Sequence, residues 1–120
     1  MANITQSVQE IIDGLDGALC GALVDANSGM ILGQAGSGVD LEIAAAGNTE
    51  VVRAKLKTMR SLGLKDTIED ILITLGKHYH IIRPLAKHEG LFLYVVLDKA
   101  KSNLALARRK IADVEAELTV

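Results

Sequence analysis

Three places in the chain combine side-chain types and spacings that could support chemistry. His78 and His80 stand two residues apart in an apolar stretch. On a β-strand that spacing puts both imidazoles on one face, about 6.6 Å apart along the strand, where a metal ion can bridge them. His88 is the only candidate for a third nitrogen ligand, and no CxxC or HExxH motif completes a set. The opposing reading is two polar residues on a sheet face or at an interface. Gly33, Gly36 and Gly38 precede a long helix, and a glycine-rich turn into a helix N-terminus can hold an anion. Their spacing is neither GxGxxG nor GxxxxGK[ST], no lysine follows, and hairpins flank the segment, so a plain connecting loop accounts for them. Cys20 falls with Ala18, Ala22 and Val24 on one expected strand face, where a thiol behaves as a small buried hydrophobe. A nucleophilic cysteine would need a base or a cationic neighbourhood beside it. No combination of nucleophile, base and metal ligands can be assembled, which argues for a binding domain rather than an enzyme, with no cofactor.

Charge along the last helix is a weaker signal. Lys99, Lys101, Arg108, Arg109 and Lys110 make its beginning basic, and Asp113, Glu115 and Glu117 make its end acidic. That runs against the helix dipole. Both a partner-docking surface and a merely solvated face fit this arrangement.

The elements that must position these residues follow from hydrophobic periodicity. Ile4, Val8, Ile11, Ile12 and Leu15 recur at helical spacing behind Asn3, with Gln6 placed for a capping box and Gly14 and Gly17 at the end. Two strand-like runs, Ala18 to Asp25 and Met30 to Ala35, flank the turn formers Ala26 to Gly29 and predict a hairpin. Asp40 then offers an N-cap to a helix reaching about Arg60. Ile68 to Leu75, His78 to Leu85 and Leu91 to Leu97 predict a three-stranded meander. After Asp98 the stripe Leu104, Ala107, Ile111, Val114, Leu118 predicts a closing helix of about 20 residues, about 30 Å long. The order is α-β-β-α-β-β-β-α, an α/β chain of the α+β type with a five-stranded antiparallel sheet. Leu91 to Leu97 is apolar on both pleat faces, which predicts helices on both sides of the sheet.

Composition narrows the function classes. The chain has 120 residues, 49% of them hydrophobic, with three aromatic side chains and one proline. That suits one aliphatic core and a single domain spanning 1–120. A formal charge of -2 gives no pull toward nucleic acid. Cys20, the single cysteine, fits a reducing compartment. The first residues carry Gln6, Gln9, Glu10 and Asp13 where a signal peptide would be apolar, and the longest apolar run is far short of the ~20 residues of a membrane helix. The expectation is a cytoplasmic protein with no membrane anchor.

With the elements in order, several phrases together resemble the roadblock/LC7 family. They are GALVDANSG over 21–29, ILITLG over 71–76 followed by YHIIRPL over 79–85, and LDKAKSNLALARR over 97–109. The resemblance spans almost the whole chain. It implies strand order 2-1-5-4-3, with the first and last helices on one face of the sheet and the middle helix on the other. It also implies dimers in which middle helices pair and third strands join edge to edge into one ten-stranded sheet. Family members serve as dynein light chains, as scaffold subunits and, in prokaryotes, as partners or regulators of small Ras-like GTPases.

The residues argue for self-association independently. Leu41, Ala45, Val52, Leu56 and Met59 can cover the sheet as one stripe of the middle helix. Ile43, Gly47, Val51 and Ala54 form a further apolar face, expected beside the first, where Gly47 and the run Ala44 to Ala46 let a second helix approach; a thoroughly buried helix is the competing account. The strand holding Ile71 and Ile73 has no proline and little charge beyond Glu69 and Asp70, so as an edge it invites pairing. These residues, Ile43, Gly47, Val51, Ala54, Ile71 and Ile73, are the expected homodimer interface. The leading expectation is a homodimeric module that regulates or scaffolds a small Ras-like GTPase. A small-molecule sensor with a pocket between sheet and helix is the alternative.

Overall fold

A computed structural model describes residues 3–120. The chain forms α1 (Ile4–Gly14), β1 (Ala18–Asp25), β2 (Met30–Gly36), α2 (Leu41–Ser61), β3 (Ile71–Thr74), β4 (His78–Pro84), β5 (Leu91–Asp98) and α3 (Leu104–Glu117). The five strands make one antiparallel sheet in the order β2-β1-β5-β4-β3. The expected element order, topology and capping residues are all present. The Gln6 backbone N–H donates to Asn3 Oδ1 at 2.8 Å while the Gln6 side chain accepts from the Asn3 backbone, and Asp40 Oδ1 accepts from the Ile43 N–H at 3.2 Å.

β5 lies at the centre of the sheet and explains the two-sided packing. Phe92 to Leu97 are each at most 1% exposed. Leu93, Val95 and Leu97 face α1 and α3, joining Val8, Ile11 and Ile111 in one core layer. Phe92, Tyr94 and Val96 face α2, joining Cys20, Ala45 and Val52 in the other. Each of the larger side chains contributes roughly 1.5–3 kcal/mol by leaving water, so this alternating strand ties both layers into one folded unit.

Several local expectations are corrected. Ala18 does not share a face with Cys20, because Ala18 pairs with Leu97 and Cys20 with Val96, leaving Leu19 as an extra residue. That bulge turns Ala18 toward the α1 and α3 layer, while Cys20, Ala22 and Val24 line the α2 layer. A second bulge in β2 leaves Leu32 between Ile31 and Gly33. On α2 the buried stripe contains Thr49, whose hydroxyl donates to the Ala45 carbonyl at 2.7 Å, while Leu56 is 38% exposed.

The third strand is shorter than the run Ile68 to Leu75 predicts. Leu75 donates to the His78 carbonyl at the hairpin, and the register Ile71↔Ile82 continues that ladder, so its next closely bonded pair would be Glu69 with Pro84. Pro84 has no N–H to give, and β3 ends at Ile71. The last helix is also shorter: 14 residues, about 21 Å, because Asp98 folds residues 99–101 into a turn by accepting from Ala100 and Lys101. Asn103 caps the helix through Leu106, so Lys99 and Lys101 precede it.

Candidate functional site

On the α2 side of the sheet, His78 and His80 do share a face, at the β4 end nearest the β3 hairpin. His80 Nε2 is 3.4 Å from His78 Nδ1, and His80 Nδ1 is 3.0 Å from the Tyr94 hydroxyl. Asn48 of α2 lies close enough to the same hydroxyl to favour its ionised form, though less than burial opposes it. With Tyr94 donating to His80 and His80 donating to His78, every contact is satisfied with both rings neutral. Burial lowers the His80 pKa below 6.5, and His78 lowers it further. Burial likewise pushes Tyr94 up to about 12. His88 lies beyond the opposite end of β4, so the three histidines do not converge. Among the described residues no group of three or more His, Cys, Asp or Glu is placed to hold a metal ion. The geometry is that of a hydrogen-bonded relay linking β4 to β5 with Asn48 of α2 beside it, which the sequence could not reveal because Tyr94 and Asn48 come from distant elements.

The glycines before α2 serve packing. A Cβ on Gly33 would stand 2.5 Å from Ile4 Cγ2 of α1, and Gly36 adopts φ +78 with its Cα face against the Leu19 carbonyl. Cys20 is fully buried, and burial raises its thiol pKa, opposed by the Val39 backbone. A raised pKa keeps the thiol protonated and unreactive at neutral pH. Several charges of α3 act inside the fold: Arg108 grips Asp70 at 2.9 and 3.0 Å, Lys110 Nζ approaches Glu10 at 3.6 Å, and Glu115 accepts from Arg83 Nε and from the Ala86 N–H. Arg109, Asp113 and Glu117 remain exposed. Nothing in the sequence pairs Asp70 with Arg108 or Arg83 with Glu115; only the sheet order brings them together.

The expected interface residues occupy one side of the sheet but are not in one patch within the monomer. Ile43 is 72% and Val51 37% exposed, and Gly47 and Ala54 are also exposed. At 100° per residue their stripe is centred about 150° from the buried stripe of Leu41, Ala45, Thr49, Val52 and Met59, so it lies nearly opposite it rather than beside it. Gly47 has no atom within 4 Å of an added Cβ, leaving room for a close neighbour. α2 packs over β1 and β2. Ile71 and Ile73, on the β3 edge, are half-buried against the margin of the α2 core layer. Farther along, a cleft of about 470 Å³ opens between α2, residues 66–69 and the β4–β5 loop.

No family model matches the chain, and no curated protein matches it. Solved structures do. A roadblock/LC7 domain from Streptomyces avermitilis superposes with a TM-score of 0.83 at 11% identity, over 97% of this chain and 94% of that one. MglB from Myxococcus xanthus gives 0.75 at 19% identity, over 95% and 86%. An MglB with tetrameric arrangement gives 0.69 at 16% identity, over 98% and 93%. At these identities the likeness is one of architecture, and it agrees with the strand order, the helix placement and the length: this chain has the roadblock/LC7 fold.

Proposed function

We propose that the chain is a non-enzymatic, homodimeric interaction module of the cytoplasm that regulates or scaffolds a small Ras-like GTPase. The observation that carries the first half is the outer stripe of α2. A solvent-facing helix side bearing Ile43, Gly47, Val51 and Ala54 leaves apolar surface in water unless a second helix covers it. The outer strand β3 pairs in unbroken register with β4 and leaves its other edge open, with Ile71 and Ile73 on the α2 side of the sheet. The likeness to an MglB with tetrameric arrangement supports self-association in this fold. Among the described residues no helix is long and apolar enough to cross a membrane, which suits an interaction module free in solution.

The GTPase half rests on the family resemblance. On this reading the chain brings no catalytic set, and its effect on such a partner comes from unequal affinity for the two nucleotide states. A surface built across two subunits is the platform this reading assigns. The test is a titration of a Ras-type GTPase encoded beside the gene, loaded with GDP or with a non-hydrolysable GTP analogue. Different affinities, lost in a dimer-breaking variant, support regulation. Equal affinities leave a scaffold, and no binding to either form removes the GTPase reading.

A further inference from the structure

The cleft beside the shortened third strand lies apart from the α2 outer stripe and is used by nothing described so far. Its floor is apolar: Val52 and Leu56 from α2, Ile68 from the segment before β3, and Pro84 and Leu91 from the facing strand ends. Its rim is acidic, with Asp66 and Glu69 on one side and Glu89 on the other. The one cation lining it, Arg83, is already paired with Glu115. Two independent features thus coincide: an apolar floor open to water, and an unbalanced negative rim.

A third feature concerns the backbone. Because Pro84 ends the ladder, residues 65–70 run toward β3 without entering any backbone–backbone hydrogen bond among the described residues. Only the Thr67 N–H is taken locally, by the Asp66 carboxylate at 2.8 Å. Free backbone donors and acceptors along an irregular segment favour an extended chain laid against them, as in strand addition at a sheet edge. The end of that segment is tied to α3, where Arg108 bonds both carboxylate oxygens of Asp70.

We propose that this cleft binds an extended segment of a partner protein that carries an apolar anchor flanked by lysine or arginine. The anchor covers Leu56 and Ile68, the flanking cations meet Asp66, Glu69 and Glu89, and the partner backbone pairs with residues 65–70. The site belongs to each subunit by itself and does not depend on the dimer or on a GTPase.

The test uses the full chain and three fluorescein-labelled peptides: KKLVLKK, the control KKSGSKK whose centre lacks the apolar anchor, and the charge-reversed EELVLEE. KKLVLKK is expected to bind at least tenfold more tightly than either control in fluorescence anisotropy. Amide shifts in the labelled protein should cluster at residues 65–70 and 85–91. A protein carrying both Glu69→Lys and Glu89→Lys, exposed positions whose substitution leaves the core intact, should lose at least tenfold for KKLVLKK. Asp66→Lys serves if the double variant melts early. Equal binding of KKSGSKK, which reports charge alone, overturns the proposal. So does unchanged affinity in the folded variants, an absence of binding, or a shift map centred on the outer stripe of α2.

Discussion

Arg108 of α3 holds both carboxylate oxygens of Asp70, at 2.9 and 3.0 Å, across 38 residues of sequence. The bidentate pair ties the end of the irregular stretch before β3 to the opposite face of the sheet. Arg108 is 42% exposed at its side chain and Asp70 14%, so screening limits the pair to about 1 kcal/mol or less. Arg108→Ala should therefore lower the melting temperature by only a few degrees while speeding amide exchange at Ile71 and Ile73, the first bonded amides of β3, far more than in β5. Uniform acceleration over the whole sheet would show that the pair does not restrain this segment in particular.

Gly47→Glu and Val51→Glu should each shift the protein from dimer to monomer in sedimentation, since an unpaired charge at a desolvated helix contact costs several kcal/mol. The space around Gly47 means the monomer accommodates the new side chain. Persistence of the dimer with unchanged melting would move the interface off this face of α2.

Two glycine-to-alanine changes should diverge in sign. In an isolated monomer, Gly47→Ala removes a flexible residue from the interior of α2 and should stabilise by about 0.5–1 kcal/mol. Gly36→Ala forces a left-handed φ of +78 on a side chain pressed against the Leu19 carbonyl, and should destabilise by more than that. Chemical denaturation of both variants in a dimer-breaking background gives the comparison directly.

The His80 and Tyr94 relay makes stability fall at both ends of the pH range. His80 titrates below 6.5 in the fold, so the unfolded chain takes up its proton first; the stabilisation is complete above pH 6.5 and is lost as pH falls toward the lower folded value. His78 and Tyr94 are the titratable groups that contact it. Tyr94 titrates at about 12 instead of its ordinary 10, so its contribution is complete below pH 10 and is lost as pH rises to about 12. Urea denaturation across pH 5–8 should show an acid slope that His80→Gln flattens, and across pH 9–12 an alkaline slope that Tyr94→Phe flattens. Unaltered slopes in both variants would assign the pH dependence elsewhere.

The fold was legible where one physical rule governs a stretch. Asn3 and Asp40 cap helices because short polar side chains reach the N–H groups of the next turn, and Phe92 to Leu97 announce helices on both sides because neither pleat face could remain in water. Errors arose where two elements interact. Pro84 reads as an acceptable strand residue until its missing N–H is seen to face Glu69, and Ala18 reads as a neighbour of Cys20 until the Leu19 bulge rotates it away. The exposed residues Ile43, Gly47, Val51 and Ala54, which we propose as an interface, could be found as an apolar stripe surplus to the core. Asn48, Tyr94 and His80 could not be grouped, because three elements with no shared periodicity supply them.

The bulge at Leu32 also sets how many neighbours the sheet can acquire. β2 is one of the two outer strands, and it is bent by that bulge, interrupted by Gly33 and Gly36 and flanked by α1. Such an edge is a poor template for another strand. β3 pairs in unbroken register and leaves its outer side open. The sheet therefore has one edge suited to strand pairing: in the dimer we propose, two copies joined through β3 would satisfy each other about a two-fold axis and leave the blunted β2 edges outward. In such a pair, growth by strand addition would stop at two copies, because the bulged β2 edge on the far side offers no straight template for a third.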